Sequence, residues 1–134
     1  MYFTKEDIKN KKITIIGLKK SGYSAARLAY NFGAEVFVSD YNDDNDTKIN
    51  YDRLVKKGIQ CEIGKHSDRI FNSNFWVISP GVPKDIDIIQ KAEKLNIPVI
   101  GEIEFASKFT NKPIIAVTGS NGKSTTVNIL FEML

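Results

Sequence analysis

The sequence predicts an α/β fold, a doubly wound parallel sheet with helices on both faces. Two observations carry this. Short β-rich runs alternate with helical apolar periodicities, and the strands read as continuous apolar runs, the pattern of strands buried on both faces. The length of 134 residues adds a bound: it supplies one full domain with a single core and leaves too little chain for a second.

The elements follow in order. KITIIG (12–17) reads as a buried strand, and the helix after it repeats Ala25, Leu28, Ala29 and Phe32 at helical spacing before Gly33 stops it. AEVFVSD (34–40) is the second strand. The polar loop YNDDND leads to a helix with Tyr51, Leu54 and Val55 on one face and Gly58 after its end. IQCEI is a short third strand, and FWVIS (75–79) is a fourth, ended by a Pro-Gly turn. The next helix carries Ile88, Ala92 and Leu95 inward, with Asp85 and Asp87 near its positive N-terminus. A short strand at 98–100 and a short helix over 102–109 complete a Rossmann-like unit of roughly 110 residues. TNKP (110–113) is then a polar linker, and IIAVTG begins a new strand.

Composition narrows the function classes. Apolar residues make up 42% and charged residues 26%, the balance of an ordinary globular protein. The net charge of +3, from 19 basic against 16 acidic residues, is scattered through the sequence, which argues against nucleic acid as partner. Cys61 is the single cysteine, so neither an intrachain disulfide nor a multi-cysteine metal site can form. The N-terminal stretch MYFTKEDIKNKK has no apolar core of a signal peptide and no run reaches the length of a membrane span. The expected location is the cytoplasm, with no membrane partner.

GLKKSG (17–22) follows a strand and opens a helix, the setting of a dinucleotide fingerprint, but Lys19 stands where the middle glycine belongs. The loop keeps a glycine turn, a helix N-terminus able to take an anion, and the hydroxyl of Ser21. Asp40, at the end of the second strand, is placed to accept hydrogen bonds from a ribose or base. The plainer alternative is that Gly17 and Gly22 only allow tight strand-to-helix packing and Asp40 only begins a turn. Gly81, in SPG at the end of the fourth strand, either lets a ligand approach the backbone or marks a turn. His66 has no second histidine to pair with and reads as a loop or cap residue, and Trp76 reads as core.

TGSNGKST (118–125) is the most specific stretch. It departs from the strict G-x-x-x-x-G-K-[ST] pattern, since the first glycine would fall on Val117, yet the mechanics are present. Gly119 and Gly122 let the backbone fold around phosphate oxygens, Lys123 can reach the β/γ-phosphates, and Ser124 is placed for Mg2+. An apolar run precedes the loop, and a helix with Val127, Leu130, Phe131 and Leu134 follows.

This loop, together with IIGLKKSGYSAARLA, ISPGVP and GEIEF, resembles the Mur ligases over nearly the whole sequence, from about Lys12 to Leu134. It is most similar to the branch that adds D-glutamate to UDP-MurNAc-L-alanine. Asn121 and Ser124 favour that branch over sister ligases with a histidine before the GK or with TGTNGKT. The resemblance implies an ATP-dependent amide ligase of peptidoglycan precursor synthesis, working in the cytoplasm through an acyl phosphate. ATP and Mg2+ are its implied cofactors, and UDP-MurNAc-L-alanine and D-glutamate its partners. Carried over by motif, Lys20, Ser21 and Gly22 face the diphosphate, Asp40 and Tyr41 the uracil and ribose, and Gly81 the same pocket. The ATP loop comprises Gly119, Ser120, Asn121, Gly122, Lys123, Ser124 and Thr125, with Lys123 catalytic and Ser124 on the metal. Asn42 stands where known relatives have an arginine.

The expected organisation is a UDP-substrate domain over residues 1–110 and the start of an ATP-binding domain over 111–134. Acidic metal partners and a sheet beneath the second loop cannot come from the residues after Ser124. The expectation is therefore an inactive N-terminal fragment, with residues 113–134 left to pack aberrantly, self-associate or move. Two rivals remain: an NAD-binding oxidoreductase domain, which leaves TGSNGKST unexplained, and a non-catalytic nucleotide-binding or regulatory module.

Overall fold

The computed structural model describes residues 5–134. Its centre is one sheet of five parallel strands, β1 (Lys12–Ile16), β2 (Glu35–Asp40), β3 (Gln60–Ile63), β4 (Phe75–Ile78) and β5 (Val99–Gly101), in the order β3-β2-β1-β4-β5. The chain starts in the middle, winds outward through β2 and β3, and returns to the other side of β1 as β4. The winding direction therefore reverses between β1 and β4, where the loops leaving neighbouring strands diverge and open a crevice.

The helices are α1 (Lys5–Ile8), α2 (Lys20–Asn31), α3 (Asn45–Lys56), α4 (Asp87–Lys94), α5 (Glu102–Ser107) and α6 (Lys123–Met133), with a 3-10 turn at Asp68–Phe71. Alternation along β1 divides the core. Ile13 and Ile15 face a cluster with Ala25, Ala26, Ala29, Leu54 and Phe105, whereas Ile16 joins Trp76, Ile78, Ile89, Ala92 and Ile97 on the other side. The alanines of α2 are small enough to bring that helix close to the sheet. On the opposite face Trp76 is fully buried, as expected, and its Nε1 donates to the Ile70 carbonyl at 2.8 Å. Thr14 Oγ1 donates to the same oxygen at 3.1 Å, so the 3-10 turn is fastened to the sheet.

Three details of the sequence reading are corrected. In α3 the inward line is Thr47, Tyr51 and Leu54, while Val55 is exposed, because it lies one residue further round the helix from Leu54. In α4 the buried residues are Ile89 and Ala92; Leu95 is the C-cap and turns outward, and Ile97 beyond it enters the core instead. The largest correction concerns IIAVTG: residues 114–118 form no strand, and Ile114 and Ile115 are each 61% exposed. An apolar run becomes a strand only beside another that takes up its hydrogen bonds, and no described strand pairs with this one. The helix after it forms, but α6 buries none of its residues. Among the described residues no helix is long and apolar enough to cross a membrane.

Candidate functional site

The loop after β1 is fixed by contacts that leave no room for a side chain. Gly17 has φ +100°, and a Cβ there would lie 2.7 Å from both Cβ and Oγ of Ser79. A Cβ on Gly22 would meet the Gly17 carbonyl oxygen at 1.9 Å. The packing reading of these two glycines is therefore sufficient to explain them. α2 starts at Lys20 with Lys19 as N-cap and no side-chain cap, so its first turn offers backbone N–H groups to an anion.

Asp40 organises what lies beside that loop. It is nearly buried; its Oδ2 accepts from the Leu18 N–H at 2.6 Å and its Oδ1 from the Asn42 N–H at 2.8 Å. One carboxylate thus joins the loops after β1 and β2. Ser79, at the end of β4, donates from Oγ to Glu102 Oε1 at 2.5 Å, which ties the turn carrying Gly81 to the start of α5.

A cavity of about 430 Å3 opens at the switch point, and Gly17, Asp40, Tyr41, Asn42 and Gly81 line it. Three of the residues singled out from sequence, Asp40, Tyr41 and Gly81, are brought together there from separate loops. Tyr41 is exposed, and a Cβ on Gly81 would meet no protein atom within 4 Å, so protein packing does not demand that glycine. Lys20 and Ser21 line a different hollow, of about 600 Å3, with Glu102, Ile103 and Phe105. The predicted set therefore divides between two hollows that share the 17–22 loop, and Gly22 lines neither.

His66, which the sequence reads as a loop or cap residue with no ligand role, also belongs to this site. It lies in the loop after β3, half-buried, and lines the switch-point cavity. Its Nδ1 is 2.7 Å from Ser39 Oγ, which also donates to Glu62 Oε1 at 2.7 Å. The Ser67 N–H donates to the same Glu62 oxygen at 2.8 Å. Burial lowers the His66 pKa below its ordinary value, against the raising effect of Glu62 and Asp40. Burial alone would raise that of Glu62, but hydrogen bonds from Ser67 and Ser39 outweigh it and keep the carboxyl below its usual value. The available signal in the sequence was position: GKH directly follows the carboxyl end of a strand, where sheets of this kind collect ligand contacts. Cys61 on β3 is no rival nucleophile, since burial pushes its thiol up to about 12.

The second loop has a different setting. Lys123 Nζ donates to the Gly119 carbonyl at 2.7 Å, and Gly122 caps α6 at φ +76°. Residues 118–125 are all exposed and line neither hollow. Among the described residues no group of His, Cys, Asp or Glu could hold a metal ion.

Against this geometry, comparison with known proteins is specific. The family model described as Mur ligase MurD-like, N-terminal domain, matches residues 11–101. The chain belongs to this family. It is 43% identical over 127 residues to a UDP-N-acetylmuramoylalanine--D-glutamate ligase of Chloroherpeton thalassium, a match that takes in 94% of the present sequence but 27% of that protein. A ligase of the same name from Koribacter versatilis is 42% identical over 129 residues, taking in 96% of the present sequence but 28% of the relative. The chain thus spans just over a quarter of the length of these curated relatives. Among solved structures, the UDP-N-acetylmuramate-alanine ligase MurC of Thermotoga maritima superposes with a TM-score of 0.64 at 26% identity, over 91% of the present sequence but 28% of its own. A dipicolinate synthase subunit from Bacillus subtilis, at 14% identity and TM-score 0.55, covers 94% of the present sequence with 46% of its own; it shares the fold alone.

Proposed function

We propose that this chain is the substrate-nucleotide module of a MurD-type ligase, holding the uridine diphosphate end of UDP-MurNAc-L-alanine. The observation that carries the reading is the convergence of Asp40, Tyr41 and Gly81 on one cavity at the sheet's switch point, in a member of this family. The uncapped N-terminus of α2, with Lys20 and Ser21 on its first turn, offers charge-assisted hydrogen bonds to the diphosphate. Gly22 then acts by packing, letting the helix approach the Gly17 carbonyl, and Gly81 by leaving its backbone open to the ligand. Residues 1–110 constitute this module in our reading, and 111–134 belong to the following ATP-binding domain, with Gly119, Ser120, Asn121, Gly122, Lys123, Ser124 and Thr125 as its phosphate loop.

The activity implied for a full ligase is ATP-dependent amide formation: the alanyl carboxylate is phosphorylated and the amine of D-glutamate displaces phosphate from the acyl phosphate. Among the described residues Ser124 offers one hydroxyl oxygen and no acidic cluster accompanies it, whereas Mg2+ at phosphate sites is held by one or two carboxylates together with phosphate and water oxygens. No step is therefore assigned to a metal in this chain. Lys123, turned onto Gly119, is in our reading a phosphate ligand only when the loop has a sheet beneath it. In this reading the 134 residues alone do not carry out the ligation.

Thermal unfolding with UDP, UDP-MurNAc-L-alanine or NAD tests the reading. A ligand at 100 times its Kd adds about 2.7 kcal/mol. Stabilisation by both uridine nucleotides, with no ADP release when ATP, Mg2+ and D-glutamate are added, is expected. Stabilisation by NAD in their place would overturn it.

A further inference from the structure

The hydrogen bonds around Ser39 determine which nitrogen of His66 carries the proton. Ser39 Oγ has one hydrogen and two close partners, Glu62 Oε1 and His66 Nδ1, each at 2.7 Å. An ionised carboxylate can only accept, so the serine hydrogen goes to Glu62, and the serine oxygen can then only accept from His66. Nδ1 is the protonated nitrogen. In the neutral ring Nε2 is left with a bare lone pair, and among the described residues it has no protein partner. The ring lines the switch-point cavity, where the carboxylate oxygens of Asp40 each already take a backbone amide.

We propose that His66, held in this tautomer by Ser39 and Glu62, accepts the imide N3–H of uracil at Nε2 and so selects uracil over cytosine. The inference rests on the uridine nucleotide reading of the cavity and names a residue that reads the base. Uracil carries hydrogen on N3; cytosine presents a lone pair at that position, which would oppose the Nε2 lone pair. Ser39 and Glu62 act through His66, as positioning residues. Their contribution is to stop the ring from turning a donor toward the base. The charged groups about the ring are Glu62 on β3, Asp40 at the end of β2 and Asp87 from α4 across the cavity, with Lys65 preceding it in its own loop.

Calorimetric Kd values for UDP and CDP on the 134-residue protein test this, using wild type, H66A and S39A. Wild type should prefer UDP by roughly tenfold or more, the scale of one well-placed hydrogen bond. H66A should bring the UDP to CDP ratio close to one, mainly by weakening UDP, and S39A should reduce it part of the way. Because the readout is a ratio on one protein, a general loss of stability in either variant does not imitate it. If wild type binds UDP and H66A keeps the full preference, the inference fails and the nucleotide reading stands. If wild type binds no uridine nucleotide, both fail together.

Discussion

The molecule contains the same device twice, a glycine-rich loop leading into a helix N-terminus, once at residues 17–22 and once at 118–125. In the first, the preceding strand lies at the centre of the sheet and α2 buries Gly22, Ala25, Ala26 and Ala29. In the second, the preceding run has no strand partner and α6 buries nothing, leaving Phe131 85% and Leu134 91% exposed. The second loop matches a nucleotide motif more closely, yet the first has the organised geometry. Motif chemistry resides in the loop residues, whereas geometry comes from the sheet beneath them, and the two are separable.

The sharpest way to break this contrast is at Gly22. A valine there puts Cβ within 1.9 Å of a backbone oxygen, so G22V should cost about 3 kcal/mol or more and lower Tm by roughly 10–15 °C. The matching change G122V strains a residue at φ +76° but meets no neighbouring atom and disturbs only a helix that buries nothing, so it should shift Tm by no more than about 2 °C. Calorimetry on both variants compares the loops directly, and equal effects would remove the distinction.

Ligand affinity gives a second, smaller contrast. K20A should weaken UDP binding about tenfold through loss of a charge-assisted contact, while K123A should leave UDP affinity unchanged within twofold. Titration calorimetry reads both. A version ending at Thr110 should melt within about 2 °C of the 134-residue form, because α6 contributes no buried residue.

The smallest effect is a pH dependence confined to the first region. The folded His66 pKa lies below the usual 6.5, chiefly through burial, so the unfolded state binds the proton more readily. Stability from this group is complete above about pH 6.5 and declines as pH falls toward the folded value. Tm measured between pH 7.5 and 5.5 should drop less in H66Q than in wild type.

Much of the fold was legible because the βα alternation recurs without interruption. The five strands occur where continuous apolar runs predicted them, and Asp40 and Gly81 were identifiable by their place at strand ends. The inward faces of α3 and α4 were less so, since helical spacing admits neighbours such as Val55 and Leu95 that tertiary packing turns outward. The segment at 114–118 shows the limit clearly: its apolar character is local, but strand formation depends on a partner. His66 reads from sequence as a loop or cap residue and does lie in a loop, but its hydrogen bond is to Ser39, 27 residues away. Nothing in its immediate neighbours indicates that contact.

Amide hydrogen exchange of the 134-residue protein, with and without saturating UDP, tests the central claim most directly. The account predicts that amides of α2 exchange slowly while those of α6 exchange near unfolded rates, and that UDP adds protection at residues 17–22, 40–42 and 64–67 but none at 118–125. Protection of α6 equal to that of α2, or UDP protection appearing at the second loop, would contradict it.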